Sequence, residues 1–242
     1  MTDLPDGEVL KQRIGTPCPS LAGLDINQII IECPECHRYV RACCRHGYSD
    51  GRSYHFDQHL CHLFKVVYTD GACTNNGGAD AKAGLGLAIG TNVDAEEHTK
   101  SIPVDDSIDP GAPRTSQRAE LLAAIEGLKL LEETPLPGHR RVLRAFARRD
   151  GDNSDDERDV YLVVTDSEYV VKGMTEWLPS WKRRGLRTSG GKRPTNLDLF
   201  LALDRLVTRL ENDRVAVGFW QVPRAFNQQA DALAKRAASN AI

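Results

Sequence analysis

Four acids in this chain stand where chemistry is done, at the ends or starts of regular elements. Asp70 closes the run Lys65-Val66-Val67-Tyr68-Thr69-Asp70, whose β-branched and aromatic residues suit a central strand. Asp166 closes a second run of the same build, Val160 to Thr165. Glu120 lies near the start of an amphipathic helix for which Thr115 or Ser116 is the expected N-cap, and Asp231 near the start of the helix that closes the chain. An Asp-Gly pair after a strand can equally be a plain turn, so Asp70 alone says little. The three other acids change that. Carboxylates converging on one sheet edge repel one another unless divalent cations neutralise them, and all-oxygen ligands suit magnesium, here a pair of ions.

The elements that must position these acids can be followed along the chain. Gly71 lets the backbone turn or be approached closely. Asn75-Asn76-Gly77-Gly78 then supplies turn residues before a second apolar run, Ala83 to Ile89, so a hairpin with an acid at its root is expected. A third strand is expected around Thr99 to Val104, then a loop holding Asp105, Asp106, Asp109, Pro110 and Pro113 that leads to the Glu120 helix. Pro135 and Pro137 stop that helix. Residues 138 to 159 read as an inserted charged loop, with Arg140, Arg141, Arg144, Arg148 and Arg149 followed by six acids. Segregated charge of this kind is usually solvated, although Arg141 to Phe146 could add to a strand.

The runs YTDGAC, TSQRAEL, VVTDSEYV, EWLPSWKRRGLRTSGGKRPTNLDLFLALDRLV and NQQADALAKRAA, in this order, resemble the type 1 ribonuclease H family over about residues 64 to 240. The resemblance implies an α/β fold, the ribonuclease H-like five-stranded mixed sheet flanked by helices. It implies Asp70, Glu120, Asp166 and Asp231 as catalytic metal ligands for two Mg2+ ions, which Mn2+ could replace; Asp70, on the central strand with Glu120 and Asp166 flanking it, is the expected bridge. By the same match, Cys73, Asn76, Ser116, Gln117 and Glu120 fall where contacts to the minor groove of an RNA/DNA hybrid are made. Asn76 and Gln117 can each donate and accept, which suits the 2′-hydroxyl that separates RNA from DNA. Two departures stand out. Ser116 replaces a frequent Asn, and Arg224, in a VPR…N…AD ending, takes the place of a mobile loop His.

From Lys172 to Asn196 seven Lys or Arg face one acid, Glu176, with Trp177 and Trp181 interleaved. In a chain of formal net charge −3 such a local excess reads as a phosphate and sugar surface; Trp177, Trp181, Lys182, Arg183, Asn196 and Arg224 are substrate-binding candidates. The plainer reading is a packed Trp pair beneath a solvated basic face, and both are expected to hold, with one Trp packing.

The 242 residues divide into an irregular tail over 1–24, a Cys/His-rich segment over 25–62 and a nuclease domain over 63–242. Between Cys33 and His62 lie five of seven cysteines and five of seven histidines. Cys33-Pro34-Glu35-Cys36 has zinc-knuckle spacing, and Cys43, Cys44 and His46 could complete a structural zinc site. The alternative is a small packed hairpin, since Ile29 to Glu32 and Tyr39-Val40 also read as strands, and His55, His59 and His62 read as surface or packing residues. The beginning of the chain has no apolar leader and no run of eighteen apolar residues exists, so no membrane partner is expected. The cysteines without such a leader point to a reducing compartment, nuclear or cytoplasmic. The expected activity is endonucleolytic hydrolysis of the RNA strand of hybrids by a monomer. Two other readings are a hybrid-binding module with weak or lost catalysis, and another nuclease or transposase of the same superfold.

Overall fold

The computed structural model describes residues 2–3, 9–11, 13–15, 17, 19–42, 47–49, 52–56, 62–92, 97–134 and 159–241. Cys43, Cys44, His46, His59, Cys61 and the charged insertion up to residue 158 lie outside the described residues, as does the strand considered at Arg141 to Phe146.

Three short strands open the chain: β1 (Thr2–Asp3), β2 (Val9–Lys11) and β3 (Ile14–Gly15). A helical turn, α1 (Ile26–Ile29), leads into β4 (Ile30–Glu32), which pairs with β5 (Tyr39–Arg41), and β6 (Gly47–Ser49) pairs with β7 (Tyr54–Phe56). The central unit is β8 (Phe64–Thr74), β9 (Lys82–Ala88), β10 (Thr99–Val104), α2 (Ser116–Glu133), β11 (Asp159–Thr165), α3 (Glu168–Lys172), a π-helical turn at Gly173–Trp177, α4 (Leu178–Arg183), α5 (Leu197–Asn212), β12 (Val215–Gln221) and α6 (Gln228–Asn240). Its strands run in the order β10-β9-β8-β11-β12. Neighbours among β8, β9 and β10 are antiparallel, while β11 is parallel to both β8 and β12. This is the mixed sheet that the sequence led us to expect.

The strand period of two sorts side chains between two cores. Val67, Leu85, Leu87, Tyr161, Val163, Val217 and Phe219 share one core with Leu121 and Leu128 of α2 and with Phe200, Leu203 and Val207 of α5. Val66, Tyr68, Ala88, Leu162 and Val164 share the other with Ala230 and Leu233 of α6. Strands buried on both faces read as near-continuous apolar runs, as Val66 to Tyr68 of β8 and Val160 to Val164 of β11 do.

The N-terminal residues depart from an irregular tail. Ile14 pairs in parallel with Phe219, so β3 lengthens the sheet beyond β12. Arg13 holds Glu211 with Nε at 3.1 Å and Nη2 at 2.9 Å, and Asp204 with Nη1 at 2.7 Å. Strands of two or three residues carry no period to read; an open sheet edge recruits them. The β4–β5 hairpin also joins the sheet, since Val40 pairs with Lys65 beside the half of β8 that β9 leaves uncovered. Among the described residues no helix is long and apolar enough to cross a membrane.

Candidate active site

Asp70 continues the row of Val66 and Tyr68 on the α6 side of β8 and pairs across to Gly86 of β9. The next residue, Gly71, faces α2, where an added Cβ would lie 2.2 Å from the Glu120 nitrogen. Only glycine allows that approach, and it sets Glu120 beside Asp70. Thr115 is the N-cap of α2, its hydroxyl accepting from Arg118 N at 3.2 Å. Helix α6 reaches the same place by a seam of small residues. A Cβ on Gly86 would lie 2.0 Å from Ala230 O, and one on Gly84 2.2 Å from Ala238 N. Asp231, in the first turn of α6, is thereby carried over β9 towards Asp70.

Two residues that the sequence reading passed over fix the acids. Ser167 caps α3, accepting from Val170 N at 3.3 Å, and its hydroxyl donates to Glu120 Oε2 at 2.6 Å. Asn227, 1% exposed, donates through Nδ2 to Asp166 Oδ1 at 2.8 Å and to Thr69 O at 3.1 Å. It ties the end of β11 to β8 just ahead of α6. Their signals were local: Ser167 directly follows Asp166, and Asn227 stands in the VPR…N…AD run.

The electrostatics are those of crowded like charges. Burial, then Asp166, then Asp231 and Glu120 push the Asp70 carboxyl up to about 7, against a lowering hydrogen bond from the Gly71 N–H. Burial and Asp166 likewise raise Glu120, while Ser167 opposes them. Asp231 goes the other way. Burial would raise it, but Lys235, with Nζ 2.6 Å from Oδ2, and Arg224, whose Nη2 contacts Oδ1, hold it below the ordinary carboxylate range. The buried Asn227 Oδ1 has no hydrogen-bond partner among the described residues. Mutually repelling carboxylates and an orphan amide oxygen are hard donors, the set that fits a magnesium ion or its bound water.

The substrate candidates are spread around this cluster. Asn76 Oδ1 accepts from Ser116 N at 3.0 Å, which joins the β8–β9 turn to the start of α2. Gln117 is exposed there, and the Cys73 thiol donates to Thr74 O at 3.4 Å. Asn196 caps α5 with φ 55° and donates to Tyr169 Oη at 3.1 Å. Trp177 and Trp181 both sit half-buried in an aromatic ladder, with Tyr169–Trp177, Trp177–Trp181 and Trp181–Phe200 centroids 5.7, 6.2 and 5.3 Å apart. Neither stands free as a flat platform. Lys182 is turned onto the buried Asp204 at 2.5 Å, whereas Arg183, Arg184, Lys192 and Arg193 are exposed.

Of the zinc candidates, Cys33 and Cys36 lie together, and their companion is His62. Cys43 and His46 lie outside the described residues. His55 is exposed, its Nε2 2.8 Å from Ser53 Oγ.

The RNase H family model matches residues 64–239. A ribonuclease H of Cyanothece sp. is 34% identical over 174 residues, covering 70% of this chain and 85% of that protein. One from Pseudomonas paraeruginosa is 34% identical over 177 residues, covering 71% and 90%. Ribonuclease H1 of Homo sapiens is 30% identical over 179 residues, covering 72% and 50%.

Proposed function

The chain belongs to the ribonuclease H family, and from that premise we propose that it cuts the RNA strand of RNA/DNA hybrids endonucleolytically. The observation that carries this is the buried Asp70 set among Glu120, Asp166 and Asp231, with Ser167 holding Glu120 and Asn227 holding Asp166. A carboxylate so crowded has no use in a packing role.

Asp70, Glu120, Asp166 and Asp231 would hold two Mg2+ ions, or Mn2+ in their place. When bound, such ions activate a water and stabilise the leaving 3′ oxygen of an in-line phosphoryl displacement, which leaves 5′-phosphate and 3′-hydroxyl ends. Ser167 and Asn227 keep Glu120 and Asp166 aimed inward. Asn76, Ser116 and Gln117 form a polar rim beside the cluster, suited to reading 2′-hydroxyls. The exposed Arg183, Arg184, Lys192 and Arg193 give the phosphate backbone of the DNA strand a cationic surface. The Asn76–Ser116 bond is made to a backbone N–H, so it does not depend on the Ser116 side chain.

The second reading, a hybrid-binding module without catalysis, is disfavoured by the same cluster. Asp70→Asn keeps the shape and removes one charge. Magnesium-dependent cleavage is expected to fall by about a thousandfold or more, with hybrid affinity within a few-fold of the parent. Turnover near that of the parent chain would remove Asp70 from the chemistry. A parent chain that binds hybrid and cuts neither it nor any duplex would leave the binding module standing.

A further inference from the structure

A second cluster of metal-ligating side chains lies apart from the four acids, and it is built from sulfur and nitrogen. Cys33 directly follows β4 and is 1% exposed, Cys36 is half-buried, and His62, 4% exposed, stands two residues before β8. Their three ligand atoms all lie within 4.8 Å of one another, the one such group of three or more Cys, His, Asp or Glu among the described residues. Cys36 Sγ and His62 Nε2 are 3.3 Å apart. Bond lengths of about 2.3 Å for Zn–S and about 2.0 Å for Zn–N set tetrahedral ligand separations near 3.5 Å, so the pair needs almost no movement to share an ion.

The backbone is prepared in the same sense. Cys33-Pro34-Glu35-Cys36 forms the turn between β4 and β5; Cys33 N donates to Arg38 O at 2.9 Å and His37 N to Cys33 O at 2.8 Å. His37 takes φ 55° directly after the second cysteine, where the chain turns back into β5. The Arg38 N–H donates to the Cys36 sulfur, against the burial and the Cys33 contact that raise the thiol to about 11. The N-terminal segment has a small core cluster of its own, Leu21, Leu24, Ile29 and Ala42, beside Ile30, which packs into the second core of the sheet. A segment with so little to bury gains most from a metal cross-link.

We propose that Cys33, Cys36 and His62 hold a structural zinc ion that staples the β4–β5 hairpin to the root of β8. Two thiolates and an imidazole select zinc over magnesium, so this site and the carboxylate cluster do not compete for one ion. The staple has a reach beyond the hairpin. Tyr39 of β5 donates from its hydroxyl to Gln229 Oε1 at 2.7 Å, and Gln229 Nε2 donates to Gly90 O at 3.1 Å. The hairpin thus braces the first turn of α6, two residues from Asp231.

The full chain, purified under reducing conditions without chelator, is expected to carry about one zinc per molecule by elemental analysis. Cys33→Ser with Cys36→Ser, and His62→Gln, are expected to lose it, whereas Asp70→Asn and Glu35→Gln keep it. Should the cysteine variant fail to fold, cobalt exchanged into the parent chain gives the second measurement. Sulfur-to-cobalt charge-transfer absorption is expected, because oxygen ligands alone cannot produce it. A parent chain without zinc and without that absorption overturns the proposal. So does zinc retained by the double cysteine variant, or a Cys33–Cys36 disulfide, seen as two thiols lost to alkylation, in the purified protein.

Discussion

Asp70 is an acid whose proton is held harder in the folded chain than in the unfolded one. Burial first, then Asp166, raise it to about 7, while an unfolded aspartate titrates near 4. Between those values the folded state of the metal-free protein binds more protons, so stability falls as pH rises through that window. Asp70→Asn removes the loss. In chelator, the denaturation midpoint of Asp70→Asn is expected to run level with the parent at pH 4 and to exceed it increasingly up to pH 8. The gain is limited to about 1.4 kcal/mol for each unit of the shift. A parent and variant whose difference does not change with pH would show that Asp70 does not titrate there. Arg224 poses a different question of charge. Its side chain is 68% exposed yet engages Asp231, whose own is 16% exposed. Guanidinium stays protonated throughout the working range, so Arg224 can hold or attract charge and cannot relay a proton. Arg224→Lys is expected to keep several times the single-turnover rate of Arg224→Ala, and neither should add a titration near 6.5 to the rate profile. Equal rates for Arg224→Ala and the parent across magnesium concentrations would leave Arg224 a quiet surface cation.

At the scale of elements, the site depends on how closely helices approach the sheet. Gly71 admits the start of α2, and Gly84 with Gly86 admits α6 along Ala230, Ala234 and Ala238. The obstacle that a methyl would meet at Gly86 is backbone, Ala230 O at 2.0 Å and Ala234 N at 2.5 Å, which cannot rotate away. Gly86→Ala is therefore expected to lift α6 and cost about 1–3 kcal/mol or more. Because α6 carries Asp231, kcat is expected to fall further than the loss of folded protein explains, with hybrid affinity largely kept. Chemical denaturation and single-turnover cleavage on the same preparation separate the two effects. A variant with parental stability and rate would mean that the seam has slack.

At the scale of the molecule, the N-terminal residues are part of the nuclease rather than an ornament on it. From the sequence, removal of residues 1 to 62 promises to spare cleavage, because none of the four acids lies there. The structure argues otherwise. That deletion strips β3 from β12 and β5 from β8, takes Arg13 from Asp204 and Glu211, and takes Tyr39 from Gln229. It also uncovers Asp204, the partner of Lys182 in the basic segment. The truncated chain is expected to unfold at clearly lower denaturant and to cleave only under conditions where it remains folded. An unchanged midpoint with full activity would return the segment to a passive attachment.

The sequence by itself determined the acids at the ends of two apolar runs and narrowed the cap of the Glu120 helix to Thr115 or Ser116, because each depends on local period and residue type, whereas the mixed sheet was implied by the family resemblance of whole motifs. Strand alternation is written in neighbouring residues, and so is the glycine that a close helix requires. Tertiary structure alone decided the partners. Asn227 reaches across to Asp166 and Thr69, Ser167 reaches Glu120, and Lys182 turns onto Asp204 rather than outward. His62 looks like a packing residue in the chain order and becomes the neighbour of Cys36, 26 positions away. Ile14 meets Phe219 because an open sheet edge accepts any extended segment that can reach it. Contacts of this kind follow from how the chain closes on itself, and no periodicity along the sequence encodes them.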